Sequence, residues 1–199
     1  MTKRMLLAGL LGGLALFLWE FVAHDLTPLG DTGLSSVPNE ETVRAMLKQN
    51  IPHSGLFYFP APEDSPGMTA QQKKDAMAKA MDLARSGPVG FMAFQRDGGD
   101  TLSARQLVTQ FVLDVLAVLL AAMLLARVPA SGFAARVGFV TALGLIPALR
   151  SQIPMWNWYG FPASYAAAQI AIDLLGFFIA GLVVAKLAQS RARTMAAAS

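Results

Sequence analysis

The chain contains no cysteine and few charged residues for its length. None of its 199 residues is Cys, and 15% are Asp, Glu, Lys or Arg, whereas an average soluble domain carries about a quarter. The absence of cysteine excludes disulfides, thiolate metal sites and cysteine nucleophiles. The shortage of charge, with 54% hydrophobic residues and a mean hydropathy of +0.46, predicts a protein of the lipid bilayer.

Four apolar runs are long enough to cross a bilayer, which takes about 20 helical residues. They predict transmembrane helices over residues 5–23, 107–126, 133–149 and 165–187. The first run also has the form of a secretion signal, but Phe21 stands where cleavage requires a small residue, so we expect a retained helix. The expected fold class is an all-α membrane protein built as a four-transmembrane-helix bundle.

The segment 24–104 between the first two runs predicts a small α+β insertion. Two helical patterns alternate in it with two apolar strands bounded by Gly and Pro: Pro38 to about Asn50, Leu56–Phe59, Thr69–Arg85 and Val89–Phe94. We therefore expect the first helix over 1–23, the insertion over 24–104, and the other three helices with a C-terminal tail over 105–199.

Basic residues near the ends of the runs predict the orientation of the chain. They flank helix ends that would share one side, where no acidic residue accompanies them: Lys3, Arg4, Arg127, Arg136, Lys186, Arg191 and Arg193. Cytoplasmic flanks are enriched in Lys and Arg. We therefore expect the bacterial inner membrane, with both termini cytoplasmic and residues 24–104 on the periplasmic side. These flanks account for the net charge of +3, and nothing resembles a nucleic-acid-binding module.

Two of the runs open with the same polar pattern. QFVLDVLAVLLAAMLLAR aligns without a gap with QIAIDLLGFFIAGLVVAK, so that Gln110 and Asp114 match Gln169 and Asp173. The match favours two helical hairpins related by an axis along the membrane normal, as in some transporters, or it is accidental. Each Asp would lie roughly 12 Å below the outer surface. Charges at such depth normally face the bundle interior, so we expect the two to converge.

Other polar residues are expected at the same level: Glu20 and His24 at the end of the first helix, and Arg150 at the end of the third. The predicted intramembrane polar cluster comprises Glu20, His24, Gln110, Asp114, Arg150, Gln169 and Asp173. Three interpretations remain open. The cluster is polar glue that fixes helix register, with Arg150 neutralising one Asp, or a proton or cation site, because two close carboxylates cannot both ionise cheaply, or a catalytic site.

The sequence offers little for catalysis or for a metal. It contains no H-E-x-x-H and no nucleophile motif, so no catalytic residue is assigned and an enzyme is not favoured. His24 and His53 are its two histidines, and with a carboxylate they are weak candidates for metal ligands. We expect no cofactor.

The last predicted loop, IPMWNWYGFPASY, is rich in aromatic side chains: Trp156, Trp158, Tyr159 and Phe161. Trp and Tyr are enriched where a span meets the headgroups. We interpret this loop as an interface belt, with ligand stacking as the alternative.

A family resemblance is carried by LLAGLLGGLALFLWEFVAHDLTPLG, VPNEETVRAML, GLFYFP, SGPVGF and WNWYGFP. Together these segments resemble an uncharacterised family of small bacterial inner-membrane proteins. The resemblance implies four membrane helices and an extracytoplasmic insertion after the first. Trp19 and His24 belong to its most specific parts, while Glu20 departs from the small residue that commonly follows this Trp. The family brings no known activity.

The function expected from these patterns is that of a structural or accessory membrane subunit. Small residues recur four apart and let helices approach closely: Gly9/Gly13, Gly138/Ala142, Ala117/Ala121 and Gly176/Ala180. Their number favours association with a second copy or with a larger membrane complex, besides the lipid bilayer. The alternatives are a small proton- or cation-linked transporter using Asp114 and Asp173, and a membrane-surface enzyme or metal-binding protein using His24 and nearby carboxylates.

Overall fold

A computed structural model describes residues 3–100, 102–130 and 132–187. The chain forms six α-helices and one two-stranded sheet over this part. In chain order they are α1 (Lys3–Phe21, continued by a π-helical turn over Val22–Leu26), α2 (Glu40–Asn50), β1 (Gly55–Phe59), α3 (Ala70–Ser86), β2 (Gly90–Phe94), α4 (Ala104–Leu125), α5 (Phe133–Tyr159) and α6 (Ala163–Leu187). The expected C-terminal tail, with Arg191 and Arg193, lies outside the described residues.

Four helices are long and apolar enough to cross a membrane, as predicted. These candidate spans are Lys3–Leu26, Ala104–Leu125, Phe133–Tyr159 and Ala163–Leu187. They belong to one compact unit, formed by Met1–Leu34 and Thr101–Ser199, and Ser35–Asp100 forms a second.

The prediction that the third span ends at Leu149 is wrong. Helix α5 continues through Pro147 and Pro154 to Tyr159, and ends at Gly160, which takes the left-handed conformation that glycine adopts without strain. Each proline removes one backbone hydrogen bond, which membrane helices tolerate. At about 40 Å, α5 is longer than the roughly 30 Å hydrocarbon layer.

Glycines bring α1 close to α4 over most of its length. A Cβ on Gly9 would lie 2.8 Å from Cβ of Leu119, and one on Gly13 would lie 2.5 Å from Cα of Val115. The two helices run antiparallel, because the earlier glycine in α1 meets the later residue in α4. The Gly9/Gly13 spacing therefore serves a contact inside the chain.

Helix α6 lies against both α1 and α5, and at each contact a glycine leaves room for a side chain of the neighbouring helix. Gly176 leaves room for Leu16 of α1, and Gly144 of α5 leaves room for the ring of Phe177. Both contacts are antiparallel, so α1 and α5 run in one direction. The described helices thus pack in the order α4, α1, α6, α5, around buried residues Ala8, Leu16, Val118, Ala121, Ala122, Leu125, Val140, Ala180 and Val184.

The packing does not show the symmetry that the Gln/Asp repeat suggested. A two-fold axis along the membrane normal would exchange α1 with α5 and α4 with α6. It would therefore make the α1–α6 contact equivalent to the α5–α4 contact. In the structure α1 lies along α6, whereas α4 meets α5 at few positions. The two hairpins are consequently not equivalent in their packing.

The second unit contains α2, β1, α3 and β2, in the alternating order predicted. Strands β1 and β2 pair antiparallel with Phe57 opposite Met92. The rings of Phe57 and Phe94 meet edge to face, with their centroids 6.5 Å apart. The guanidinium of Arg96 donates to the carbonyl oxygens of Lys48 and Ile51, which joins the end of β2 to α2. A capping box at Thr69 begins α3.

The insertion unit is shorter than the expected 24–104, because the first residues of that segment pack with the long apolar helices. Gly30 lies against the backbone of His24, and Gly33, with φ +83°, lies against Tyr165 of α6. The backbone N–H of Gly30 also donates to the carbonyl of Ala23 at 3.0 Å. The chain therefore leaves the helix-bundle unit at Leu34.

The close α1–α4 contact predicts that substitution by alanine destabilises the protein more at Gly13 than at Gly138. Gly13→Ala should lower the free energy of unfolding by about 1–3 kcal/mol, because the added methyl group meets the α4 backbone. Gly138→Ala is the matched control: no atom lies within 4 Å of its Cβ position, so its effect should stay within about 1 kcal/mol. Denaturation in detergent micelles measures both. Equal destabilisation by the two variants would contradict the close α1–α4 contact.

Candidate functional site

Asp114 is the one charged side chain that is buried among the described residues. It is 4% exposed, because it lies on the face of α4 that also carries the buried Val118, Ala121 and Leu125. Oδ1 of Asp114 accepts a hydrogen bond of 2.9 Å from Nε2 of Gln110. Oδ2 is buried, and no hydrogen-bond partner reaches it within the described part of the chain. A buried carboxylate oxygen left in this state is costly.

Gln110 joins the carboxyl groups of two helices. Its Nε2 donates to Oδ1 of Asp114 and also, at 2.8 Å, to Oε2 of Glu20 on α1. A side-chain amide nitrogen carries two N–H groups, so both are used. Glu20 and Asp114 therefore share one donor, as the antiparallel α1–α4 contact requires.

His24 stands on the π-helical turn that continues α1. Its Nδ1 lies 3.0 Å from the carbonyl oxygen of Glu20, and the turn is supported by Thr27, whose Oγ1 donates to the carbonyl of Ala23 at 2.8 Å. Turns of this kind are rare in proteins, and many of those that occur lie at functional sites. The turn was not predicted, since no residue pattern distinguishes it from the end of an ordinary helix.

A pocket of about 220 Å³ opens beside these residues. It is lined by Phe17, Glu20, Phe21, His24, Asp25, Leu107 and Gln110. Phe17, Phe21, Asp25 and Leu107 were absent from the predicted cluster. Asp25 directly follows His24 in sequence, and that adjacency was the signal available for it. The aromatic residues looked like ordinary apolar positions of a span, so only the tertiary structure identifies them as pocket walls.

Asp173 lies in the same region, on the neighbouring helix α6. It is half-buried, and it lies close enough to Glu20 and to His24 for electrostatic interaction with both side chains. Nε1 of Trp19 donates to the carbonyl of Ile172 at 2.9 Å, which fixes α1 against α6 one residue before Asp173. The structure thus brings Glu20, His24, Asp114 and Asp173 to one end of the bundle.

Gln169 does not repeat the role of Gln110. It is half-buried, and among the described residues no hydrogen bond joins it to Asp173. The correspondence between Gln110/Asp114 and Gln169/Asp173 in the sequence therefore has no counterpart in hydrogen bonding. Gln110 donates to both Glu20 and Asp114, whereas Gln169 forms no such pair of side-chain hydrogen bonds in the part of the chain that the structure describes.

Arg150, which one of the three interpretations pairs with an Asp, forms no ion pair with Asp114 or Asp173 in the described part of the chain. Arg150 is exposed on α5, which packs mainly against α6. The ion pairs in the described ranges join Arg44 to Glu40, Lys73 to Asp64 and Arg85 to Asp82, all in the insertion unit. The carboxylates of the bundle therefore have no Lys or Arg partner in the part of the chain that the structure describes.

The predicted aromatic loop is largely helical. Trp156, Trp158 and Tyr159 lie in the last turns of α5, where Trp158 is 79% exposed. Phe161 lies beyond the helix end, with its ring centroid 5.4 Å from that of Tyr165. Exposed Trp at the end of a long span fits the interface belt that the sequence predicts.

The two histidines do not form a metal site in the described residues. No group of three or more His, Asp or Glu is placed there to hold a metal ion. His24 belongs to the helix-bundle unit. His53 belongs to the insertion unit, where its ring lies 5.5 Å from that of Phe57.

Comparison of the chain with protein-family models, with curated proteins and with solved structures found no match. The resemblance to the bacterial inner-membrane family therefore stays a prediction.

The shared donor predicts that Gln110 and Gln169 respond differently to the same substitution. Gln110→Leu should lower the free energy of unfolding by about 1–3 kcal/mol, because it leaves Glu20 and the buried Oδ1 of Asp114 without their donor. Gln169→Leu is the matched control at the corresponding position and should change it by less than about 1 kcal/mol. Unfolding by titration with sodium dodecyl sulfate measures both values. A Gln169 effect as large as that of Gln110 would contradict the asymmetric site.

Proposed function

We propose that the protein is an integral membrane subunit that acts through helix–helix association, with a second copy of the chain as its partner. The observation that carries the proposal is an open apolar groove of about 580 Å³ on α5 and α6. Its walls are Phe133, Ala134, Val137, Gly138, Thr141, Ala142, Leu145, Leu174, Phe178 and Leu182. Apart from the adjacent backbone of its own helix, no atom of the described residues lies within 4 Å of the Cβ position of Gly138.

The other small-residue spacings support this proposal by contrast. Gly9 and Gly13 contact α4, and Gly176 receives Leu16 of α1. Gly138 and Ala142 instead face the open groove, where small side chains let a further helix backbone approach. A symmetric pair of chains would place the groove of one against the groove of the other, which is the usual arrangement of a two-fold dimer.

The position of the polar residues supports association over transport by a single chain. Polar residues gather at one end of the described bundle, whereas its other half is closed by buried apolar side chains such as Ala8, Val118 and Val184. A route for an ion past these side chains would need the helices to separate. This favours a subunit role over autonomous transport through Asp114 and Asp173.

The proposed location is the bacterial inner membrane, with residues 24–104 on the periplasmic side. The helix directions support this orientation, since the starts of α1 and α5 and the end of α6 lie at one end of the bundle. Lys3, Arg136 and Lys186 are therefore at the same end, which is the distribution expected on the cytoplasmic side.

A bulky residue in the groove should weaken self-association. Gly138→Leu is expected to raise the dissociation constant of the dimer by about tenfold, because it fills the space into which the second helix would pack. Ala135→Leu, at an exposed position of α5 outside the groove, is the matched control and should leave the constant unchanged. Energy transfer between labelled chains in liposomes, measured over a range of lipid dilutions, checks both. Dimers that persist unchanged in Gly138→Leu, or no dimer in the wild type, would contradict the proposal.

Cation binding is a second candidate function, favoured by the unpartnered Oδ2 of Asp114. A charge inside a span costs about 2.5–3.5 kcal/mol on insertion scales. Glu20, Asp114 and Asp173 lie near one another, and no Lys or Arg in the described ranges forms an ion pair with them. Besides His24, a proton or a bound cation is then the remaining source of neutralisation.

If the bundle binds a cation, Asp114→Asn should remove the effect of that cation on stability. In nanodiscs at constant ionic strength, we expect at least one of sodium, potassium, magnesium and ethanolammonium to raise the melting temperature of the wild type, because a ligand stabilises the state that binds it. Asp114→Asn keeps the shape and the bond from Gln110 but lacks the charge. Glu63→Gln, on an exposed loop, is the control. A response of Asp114→Asn equal to that of the wild type would rule out this candidate.

A further inference from the structure

We infer that the pocket beside Glu20 binds a small organic ammonium ion, with the Glu20 carboxylate as its counter-ion. The inference rests on the second candidate function, cation binding, and adds the place and the chemical class of the ligand. The pocket is lined by residues of α1 with its π-helical turn and of α4.

The walls of the pocket combine the two surfaces that an organic cation needs. Phe17, Phe21 and Leu107 supply apolar and aromatic surface, while Glu20 and Asp25 supply carboxylates. An ammonium group forms short, charge-assisted hydrogen bonds to a carboxylate, and it is attracted to the face of an aromatic ring. Phe17 is held in place by an edge-to-face contact with Phe111, with centroids 5.7 Å apart.

The buried carboxyl of Asp114 is an observation independent of the pocket. Its Oδ1 accepts from the amide of Gln110, which lines the pocket and donates equally to Glu20. The carboxyl group of Asp114 is therefore joined to the pocket lining through Gln110. Its Oδ2 has no partner among the described residues, so a buried carboxyl group with one unsatisfied oxygen lies one hydrogen bond away from the pocket lining. No Lys or Arg belongs to the described lining of the pocket.

The size of the pocket and its ligand set favour an organic cation over a metal ion. Its volume of about 220 Å³ corresponds to roughly seven water molecules at about 30 Å³ each. That space holds an alkylammonium of a few heavy atoms and a water. A metal ion would need several converging ligands, and no such group of three is found in the described residues.

Two sources can present this chemistry at the end of a span. One is the ethanolamine headgroup of a phospholipid, because the pocket lies where α1 leaves the apolar part of its span. The other is a free amine in the surrounding solution. Both would place an ammonium group against Glu20, so the experiment compares them directly.

Full-length protein in nanodiscs provides the test. The melting temperature is measured in discs of phosphatidylglycerol alone, in the same discs with added ethanolamine, and in discs that contain phosphatidylethanolamine. Sodium chloride at matched ionic strength is the reference for each. We expect ethanolamine or phosphatidylethanolamine to raise the melting temperature of the wild type above that reference. The apparent affinity should fall by about tenfold or more in Glu20→Gln, which loses a charged hydrogen-bond acceptor.

Control variants separate binding from folding. Glu63→Gln should behave as the wild type, and Phe17→Leu should weaken the response while keeping Glu20, because it removes the aromatic face but retains an apolar side chain. A response to free ethanolamine supports a soluble amine. A response to phosphatidylethanolamine alone, with that lipid recovered by mass spectrometry from the wild type and depleted in Glu20→Gln, supports the headgroup.

The outcomes that overturn the inference differ from those that overturn cation binding itself. Stabilisation by sodium or potassium that requires Asp114, without any response to ethanolamine or its lipid, would leave cation binding standing and refute the ammonium ligand. An ethanolamine response that persists unchanged in Glu20→Gln would refute the assignment to this pocket. No response to any cation would refute both.

Discussion

The close contact of α1 with α4 is the interaction on which the rest of this structure depends. Gly9 and Gly13 have no side chain, so the α4 backbone approaches to within van der Waals distance. This approach fixes the register of the two helices and places Glu20 opposite Gln110. The same helix α1 is held to α6 by Leu16 and by the hydrogen bond from Trp19. Without this packing, the carboxylates of separate helices would not meet.

The α1–α4 contact determines where the polar side chains meet, which is at one end of the bundle. A carboxylate in an apolar span is tolerated where another group reaches it, and Gln110 reaches both Glu20 and Asp114. One oxygen of Asp114 is left over. The same Asp114 carboxyl group therefore accepts the structural hydrogen bond from Gln110 and also has an oxygen that can take a proton or bind a cation.

Much of the architecture could be predicted from the sequence, and the errors have physical causes. The four apolar runs and the alternating elements of the insertion follow from local composition, which decides whether a segment is helix or strand. The extension of α5 through Pro147 and Pro154 was missed, because the rule that proline ends a helix holds less strictly in membrane spans. The interpretation that Arg150 neutralises an Asp rested on its position along the helix axis. That position does not determine which side of the helix the residue occupies.

The sequence by itself determined that this chain has four potential spans, a small α+β insertion and acidic residues within the spans. These properties depend on residues close together along the chain. Only the tertiary structure decided that Gln110 acts as the shared donor while Gln169 does not, and that Gly138 stays open while Gly13 is covered. Two positions with the same local pattern differ because they face different neighbouring helices, and the choice of neighbour is a property of the packed bundle as a whole.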